Sequence, residues 1–167
     1  MIDLEGYLYG RVKPIIEGWN ETDIYAISFF VYSNESYKYQ GHQNVCTFSI
    51  GYNTEEACNH ASQRSEERWN YAFWTQDMYP IIEPWKNDEG TKLLFDWYKE
   101  NGIENIGYED FDAAYDENQY YTGKGPNGYY ELLCAVSNVA RRLQSENFIY
   151  GKFGVRLPII VHDLEYS

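Results

Sequence analysis

Two apolar runs near the middle of the chain limit what this sequence can fold into more than any other feature. The run at 24–32 reads IYAISFFVY and contains no Gly or Pro, which predicts a strand. Both of its alternating faces are largely apolar, so we expect this strand to be covered on two sides. The run at 45–52 alternates between a hydrophobic face and a small or polar face, which is typical of an antiparallel partner. The interval between the runs is too long for a two-residue turn, so we predict a hairpin with a long tip.

The residues after the second run carry a helix-start pattern. With Asn53 as N-cap, Glu56 falls at the third helical position, so we predict a helix from Asn53 to about Ser65. The segment 68–74, RWNYAFW, then places four aromatic residues in seven positions. Because such rings bury large areas, we expect this segment to close the core.

Apolar residues recur at helical spacing in three further segments, which predicts helices at 4–19, 91–101 and 129–146. The segment 77–89 contains two prolines, so we predict a connector there with at most a short turn. We expect the glycine-rich loop before the last of these helices to supply its N-cap through Asn127.

The C-terminal part of the chain is predicted to end in a strand. Gly151 and Gly154 flank a predicted turn, and 155–161 is the predicted strand. Pro158 has no N–H to donate, which places this strand at a sheet edge or at a bulge. Together these elements predict a single α+β domain over residues 1–167, in which helices pack on a mainly antiparallel sheet.

Four short motifs carry a resemblance to a known family. They read YAISFFV, NTEEA, RWNYAFW and LPIIVHDLEY. In this order they resemble a family of bacterial single-domain proteins of about this length whose function is uncharacterised. The resemblance spans nearly the whole chain and implies no catalytic residues. Small acidic bacterial families of this kind often resemble immunity proteins of toxin systems, which is an analogy and not a motif match.

The charge balance narrows the classes of partner. The chain has 26 acidic and 13 basic residues and a net charge of −13. This disfavours binding to a nucleic acid, where Lys and Arg replace counterions along the phosphate backbone, and it disfavours an anionic membrane surface. A basic protein is the complementary partner, because opposite fields accelerate encounter. The N-terminus lacks a signal-peptide pattern and no apolar run is long enough to span a membrane, so we predict a cytoplasmic location.

The residues 100–123 form the strongest candidate binding segment. They contain seven acids and no Lys or Arg, with aromatic residues interleaved. Aromatic residues are enriched in interface cores, and a ring of carboxylates can steer a basic partner. The alternative is a solvated segment whose aromatic side chains dock on the core. The predicted partner-binding residues are Tyr108, Glu109, Asp110, Asp112, Tyr115, Asp116 and Glu117.

We find no catalytic constellation in the sequence, and we predict no cofactor and no metal. Cys46, Cys58 and Cys134 each fall on a predicted buried face, where a thiol behaves as a small hydrophobe. The pair His162-Asp163 could suggest a metal site, but a histidine that orders the chain terminus is the simpler interpretation. Two alternative functions stay open. One is a hydrolase acting on a small molecule or sugar through paired carboxylates, and the other is an acidic mimic of nucleic acid.

Overall fold

The computed structural model describes residues 1–120, 122 and 125–163, without the side chains of residues 76, 77 and 111. The helices are α1 (Leu4–Glu17), α2 (Glu66–Trp69), α3 (Glu89–Glu100), α4 (Phe111–Ala114), α5 (Tyr129–Ser145) and α6 (Phe148–Phe153). The strands are β1 (Ile24–Ser33), β2 (Cys46–Thr54), β3 (Thr75–Ile82) and β4 (Ile159–His162). They form one sheet in the order β3-β2-β1-β4. Because β2 is antiparallel to both β1 and β3, and only β4 runs parallel to its neighbour β1, the predicted α+β fold is confirmed.

One face of the sheet is covered by helices. Side chains alternate along a strand, and Ile27, Phe29 and Val31 of β1 point to this face and are fully buried. They pack with apolar residues that recur at helical spacing, namely Leu4, Leu8, Val12 and Ile16 of α1, Leu94 and Tyr98 of α3, and Leu132, Val136, Val139 and Leu143 of α5. The three predicted helices are therefore confirmed, and they form the helix-covered half of the core.

The other face is covered by the segment 55–74, most of which is irregular. At its centre Arg68 is only 5% exposed, and its guanidinium lies 4.0 Å from the centre of the Tyr25 ring. The same guanidinium forms an ion pair with the carboxylate of Glu55. The backbone oxygen of Arg68 accepts hydrogen bonds from the Tyr25 hydroxyl at 2.6 Å and from Trp74 Nε1 at 3.1 Å. This layer is therefore fixed by directed polar contacts around one buried cation.

The aromatic segment 68–74 contributes to the core through only part of its rings. Trp74 is buried against the sheet, together with Tyr25 and Ala26. Trp69 and Phe73 are 37% and 67% exposed. The prediction that the segment closes the core is correct for Trp74 and wrong for Phe73.

The predicted helix from Asn53 to Ser65 is wrong. Asn53 and Thr54 are the last residues of β2, and turns occupy residues 55–60. Asn53 pairs with Ala26 across the sheet, and its Nδ2 donates a 2.7 Å hydrogen bond to the Tyr25 hydroxyl, so this residue belongs to the strand and does not begin a helix. Asn59 and His60 have φ of 51° and 52°, which interrupts any right-handed helical path.

The predicted connector at 77–89 is also wrong, because β3 covers its first half. Pro80 lies opposite Ser49 on this strand, and the register of β2 and β3 is irregular beside that pair. A proline is tolerated here because β3 is an edge strand, where a missing N–H need not break the ladder. Pro84 begins a 3₁₀ turn at Pro84–Lys86, as expected for a residue that pre-sets φ.

The C-terminal part differs from the prediction in its helix content. The helix α6 occupies the predicted turn, and Gly154, at a φ of 73°, follows its last residue. The last strand begins at Ile159 instead of 155. The predicted edge position is confirmed, and the Pro158 oxygen accepts a 2.9 Å hydrogen bond from Ile27 N.

The N-cap of α5 is Gly128 and not Asn127. Gly128 has a φ of 92°, and its N–H donates to the Glu131 carboxylate at 3.0 Å. The Asn127 amide instead donates to the backbone oxygen of Glu104 at 3.1 Å. The Asn127 side chain thus ties Glu104 to the loop before α5. Glu104 belongs to the candidate binding segment 100–123, which we call the acidic segment.

Candidate protein-binding surface

The acidic segment is anchored to the fold at Gly107 and Tyr108. Gly107 N donates to Asn127 O at 2.9 Å, and Asn127 N donates to Tyr108 O at 2.8 Å. The Asn44 amide donates to Gly107 O at 3.1 Å. Gly107 has a φ of 82°, and a Cβ there would lie 1.6 Å from the Gln43 oxygen, so only glycine fits this close backbone approach. These contacts therefore fix the position of the acidic segment at Gly107 and Tyr108.

Asp110 gives the segment its first turn of helix. Its carboxylate accepts hydrogen bonds from Asp112 N at 3.1 Å and from Ala113 N at 3.4 Å, which caps the short helix α4. Ala114, at the end of α4, is fully buried. Asp110 therefore has a structural role as an N-cap in addition to its charge.

Asp116 organises the loop that follows. Its carboxylate accepts hydrogen bonds from Asn118 N at 2.8 Å and from Tyr120 N at 2.9 Å. Thr122 N donates to Ala114 O at 2.7 Å, which brings the two ends of the loop together. Short Asp side chains that bond to backbone two residues later are a common device for ordering turns.

Three tyrosines of this segment point outward. Tyr108, Tyr115 and Tyr120 are 59%, 46% and 73% exposed, whereas docking on the core would bury them. Asp112 and Glu117 are exposed, and no described Lys, Arg or His nitrogen lies within 4.0 Å of either carboxylate. The segment thus combines large exposed rings with carboxylates that have no cationic partner in the described chain.

The seven residues predicted from the sequence divide into three groups. Asp110 and Asp116 hold the loop, and Glu109 is half-buried and lines a cavity. The other four are exposed, namely Tyr108, Asp112, Tyr115 and Glu117. The predicted set left out Tyr120, which is the most exposed of the described rings in the segment and follows the same alternation of aromatic and acidic residues.

A buried Ser-His pair lies on the second face of the sheet, which is the face covered by the segment 55–74. Ser28 Oγ is 2.7 Å from His162 Nε2, and His162 Nδ1 is 3.0 Å from the backbone oxygen of Asp163. Because that oxygen can only accept, Nδ1 carries the proton and Nε2 accepts from the serine. Burial lowers the pKa of His162, with the neighbouring Asp163 opposing the shift. Ser28 is fully buried and His162 stacks on Tyr71 at 4.1 Å, so the described residues enclose this pair.

His162 and Asp163 direct their side chains to different partners among the described residues. The Asp163 carboxylate accepts a 2.7 Å hydrogen bond from the Tyr129 hydroxyl. In the described ranges of the chain, no group of three or more His, Cys, Asp or Glu side chains is placed to hold a metal ion. Nothing in the sequence pattern indicated the contact with Tyr129, since the two residues lie 34 positions apart.

The three cysteines are free thiols in two kinds of environment. Cys46 and Cys58 are buried, as predicted, and burial raises the pKa of Cys46 to about 12. Cys134 is exposed on α5, so its predicted burial is wrong. It lies outside the buried stripe of that helix, next to the half-buried Leu133.

Comparisons with protein-family models, with curated proteins and with solved structures found no match. The family resemblance inferred from the sequence motifs therefore stays a prediction. No helix in the described residues combines the length and the apolar character of a membrane span.

Proposed function

We propose that this chain is a non-enzymatic protein-binding domain, most concretely a bacterial immunity protein that occludes a basic, co-encoded toxin. The observation that carries the proposal is one anchored segment that combines exposed Tyr108, Tyr115 and Tyr120 with two carboxylates, Asp112 and Glu117, that have no cationic partner among the described residues. Occlusion requires a stable scaffold and a complementary patch, and no chemistry. Three free thiols fit a reducing compartment, so the proposal includes a cytoplasmic location.

Three physical effects support this surface as a binding face. Exposed tyrosines supply large contact areas at low conformational-entropy cost, because each ring has only two rotatable side-chain bonds. The internal hydrogen bonds of Asp110 and Asp116 order the loop before binding, which reduces the entropy lost in the complex. The surrounding negative field accelerates encounter with a positive partner.

The test uses the purified toxin domain encoded beside this chain and measures association by stopped flow at low and high salt. Asp112→Lys with Glu117→Lys reverses two charges without removing a cap. We expect association at low salt to slow about tenfold, and the difference from the wild type to shrink at high salt. Tyr120→Ala truncates the most exposed of the described rings in the acidic segment. It should mainly raise the dissociation rate and should weaken the binding free energy by about 2 kcal/mol.

The matched control is Glu67→Lys with Asp96→Lys. This variant has the same net charge, but both changes lie on exposed positions outside the acidic segment. If both double variants slow association equally, the effect belongs to the net charge and the acidic segment is not the binding face.

A second candidate function, a hydrolase, has one observation in its favour. A groove of about 750 Å³ beside α3 brings together Asp96, Glu104 and His42 with the rings of Tyr39 and Phe95. Both carboxylates are exposed to solvent, whereas a general acid usually needs burial to raise its pKa. Hydrolysis of an aryl glycoside that is lost in both Asp96→Asn and Glu104→Gln would favour this function over protein binding.

A further inference from the structure

A cavity of about 290 Å³ lies beside the acidic segment, at the end of the sheet where the parallel strands β1 and β4 both terminate. Tyr32 comes from the end of β1, Asp163 follows β4, and Tyr129 and Tyr130 begin α5. Glu109 joins the lining from the acidic segment. Ligands commonly bind outside the carboxyl ends of parallel strands, because loops and helix starts converge there.

The aromatic walls of this cavity are held in place. The Tyr129 hydroxyl donates to Asp163 at 2.7 Å, and the Tyr130 ring packs edge-on at 5.3 Å from the Tyr129 ring. Tyr32 stacks on Phe30 at 5.6 Å. Burial and the hydrogen bond to Asp163 raise the pKa of Tyr129, so this phenol stays protonated and acts as the donor. The rings therefore form a preformed wall.

The charged residues in the described lining of the cavity have one sign. Glu35, Glu109 and Asp163 contribute carboxylates, and the described lining contains no Lys, Arg or His. The start of α5 does not offer an anion site, because Glu131 already caps it by accepting from Gly128 N. An anion is disfavoured here, whereas a cation gains both from the carboxylates and from the negative faces of the rings.

We infer that this cavity binds the cationic side chain of a Lys or Arg residue from a protein partner. The inference rests on the proposed function, since it supplies a specific anchor point beside the acidic segment. The volume suits one long side chain, because whole small-molecule ligands usually occupy larger pockets. A side chain that enters a well-packed, desolvated pocket is the usual form of a binding hot spot.

The test titrates two blocked tripeptides, acetyl-Gly-Lys-Gly-amide and acetyl-Gly-norleucine-Gly-amide, onto the ¹⁵N-labelled full chain. Norleucine keeps the apolar stem of lysine and removes its charge. We expect only the lysine peptide to shift the amide signals of Gly125, Tyr130 and Asp163 in a saturable manner. Tyr130→Ser and Glu109→Gln should each weaken its affinity about fivefold. Tyr150→Ser, which truncates an exposed ring on α6, should leave the affinity unchanged.

Equal shifts with both peptides, or shifts that spare these three amides, would overturn the inference. Its outcome is separable from that of the proposed function. If the lysine peptide binds but charge reversal at Asp112 and Glu117 leaves toxin association unchanged, the cation-binding cavity is supported and the acidic segment is rejected as the binding face. If toxin association slows but the lysine peptide does not bind, the acidic segment is supported as the binding face and the cation-binding cavity is rejected.

Discussion

The two faces of the sheet reach burial by different means. On the helix-covered face, α1, α3 and α5 press aliphatic side chains against β1 and β2, and the contacts are non-directional. On the other face, the irregular segment 55–74 is held by Arg68 and its partners. The first face depends on filled volume, while the second depends on the geometry of a few polar atoms. A substitution of similar size should therefore have different consequences on the two faces.

The largest loss of stability is expected when the buried Arg68 guanidinium loses its partner, the Glu55 carboxylate. Glu55→Ala leaves the Arg68 guanidinium buried without a counter-charge, and we expect the free energy of unfolding to fall by about 3 kcal/mol. Equilibrium denaturation in urea measures it. The matched control is Glu67→Ala, which removes an exposed carboxylate from the same segment and should change stability by less than about 0.5 kcal/mol.

A double variant separates the lost pair from the stranded charge. Adding Arg68→Met to Glu55→Ala replaces the buried cation by an apolar side chain of similar length. We expect this second change to recover much of the lost stability, because buried ion pairs are often replaceable by apolar residues. A double variant that is less stable than Glu55→Ala alone would mean that Arg68 acts mainly through its packing on Tyr25.

A smaller effect is expected from two neighbouring residues of β1 that point to opposite faces. Ser28→Ala removes one oxygen and leaves His162 Nε2 buried without its partner, at an expected cost of about 2 kcal/mol. Ile27→Val removes one methylene from the helix-covered face, at an expected cost of about 1 kcal/mol. Thermal unfolding of both variants under the same conditions tests the order. If Ile27→Val is the more costly, the contrast between the faces is wrong.

The same contrast explains what the sequence could predict. The helix-covered face is periodic, so the stripes of α1, α3 and α5 could be predicted directly. The segment 55–74 has no period. The helix-start pattern at Asn53 failed because this residue continues β2 and pairs with Ala26 of β1. Such a contact depends on the sheet register, which local patterns do not encode.

The candidate surface was predictable for a different reason. Its residues are contiguous, so composition alone could locate the acidic segment. Composition could not show that Asp110 and Asp116 hold the loop, because their partners are backbone N–H groups. It also could not place Asp163 and Tyr32 in one cavity with Tyr129, because that requires the parallel pairing of β1 with β4.

A pH effect is expected to be specific to the second face. The pKa of His162 is lowered in the folded state, so below the ordinary histidine value of about 6.5 the unfolded chain binds more protons than the folded one. Stability should therefore decrease as the pH falls from 7 to 5.5, a range in which ordinary carboxylates stay ionised. His162→Gln, which keeps a donor and an acceptor, should flatten this dependence. An identical slope in the variant would assign the pH effect to other groups.

The mildest probe compares how often each face opens in the native protein, without changing a residue. Thiol reagents require an exposed thiolate, so exposed Cys134 should react first. Cys58 belongs to the irregular layer and packs against the sheet, whereas Cys46 lies in the helix-covered core. A layer held by few apolar contacts opens locally at a lower free energy than the main core, so Cys58 should react before Cys46. Timed labelling followed by peptide mass spectrometry gives the order.

Glu55→Ala turns this labelling order into a test of the contrast itself. If Arg68 and Glu55 hold only the irregular layer, the variant should accelerate labelling of Cys58 much more than labelling of Cys46. Equal acceleration of both thiols would mean that the two faces open together, in a single global unfolding event. The ion pair between Arg68 and Glu55 would then contribute to the global free energy of unfolding. The two faces would differ in structure but would not unfold independently.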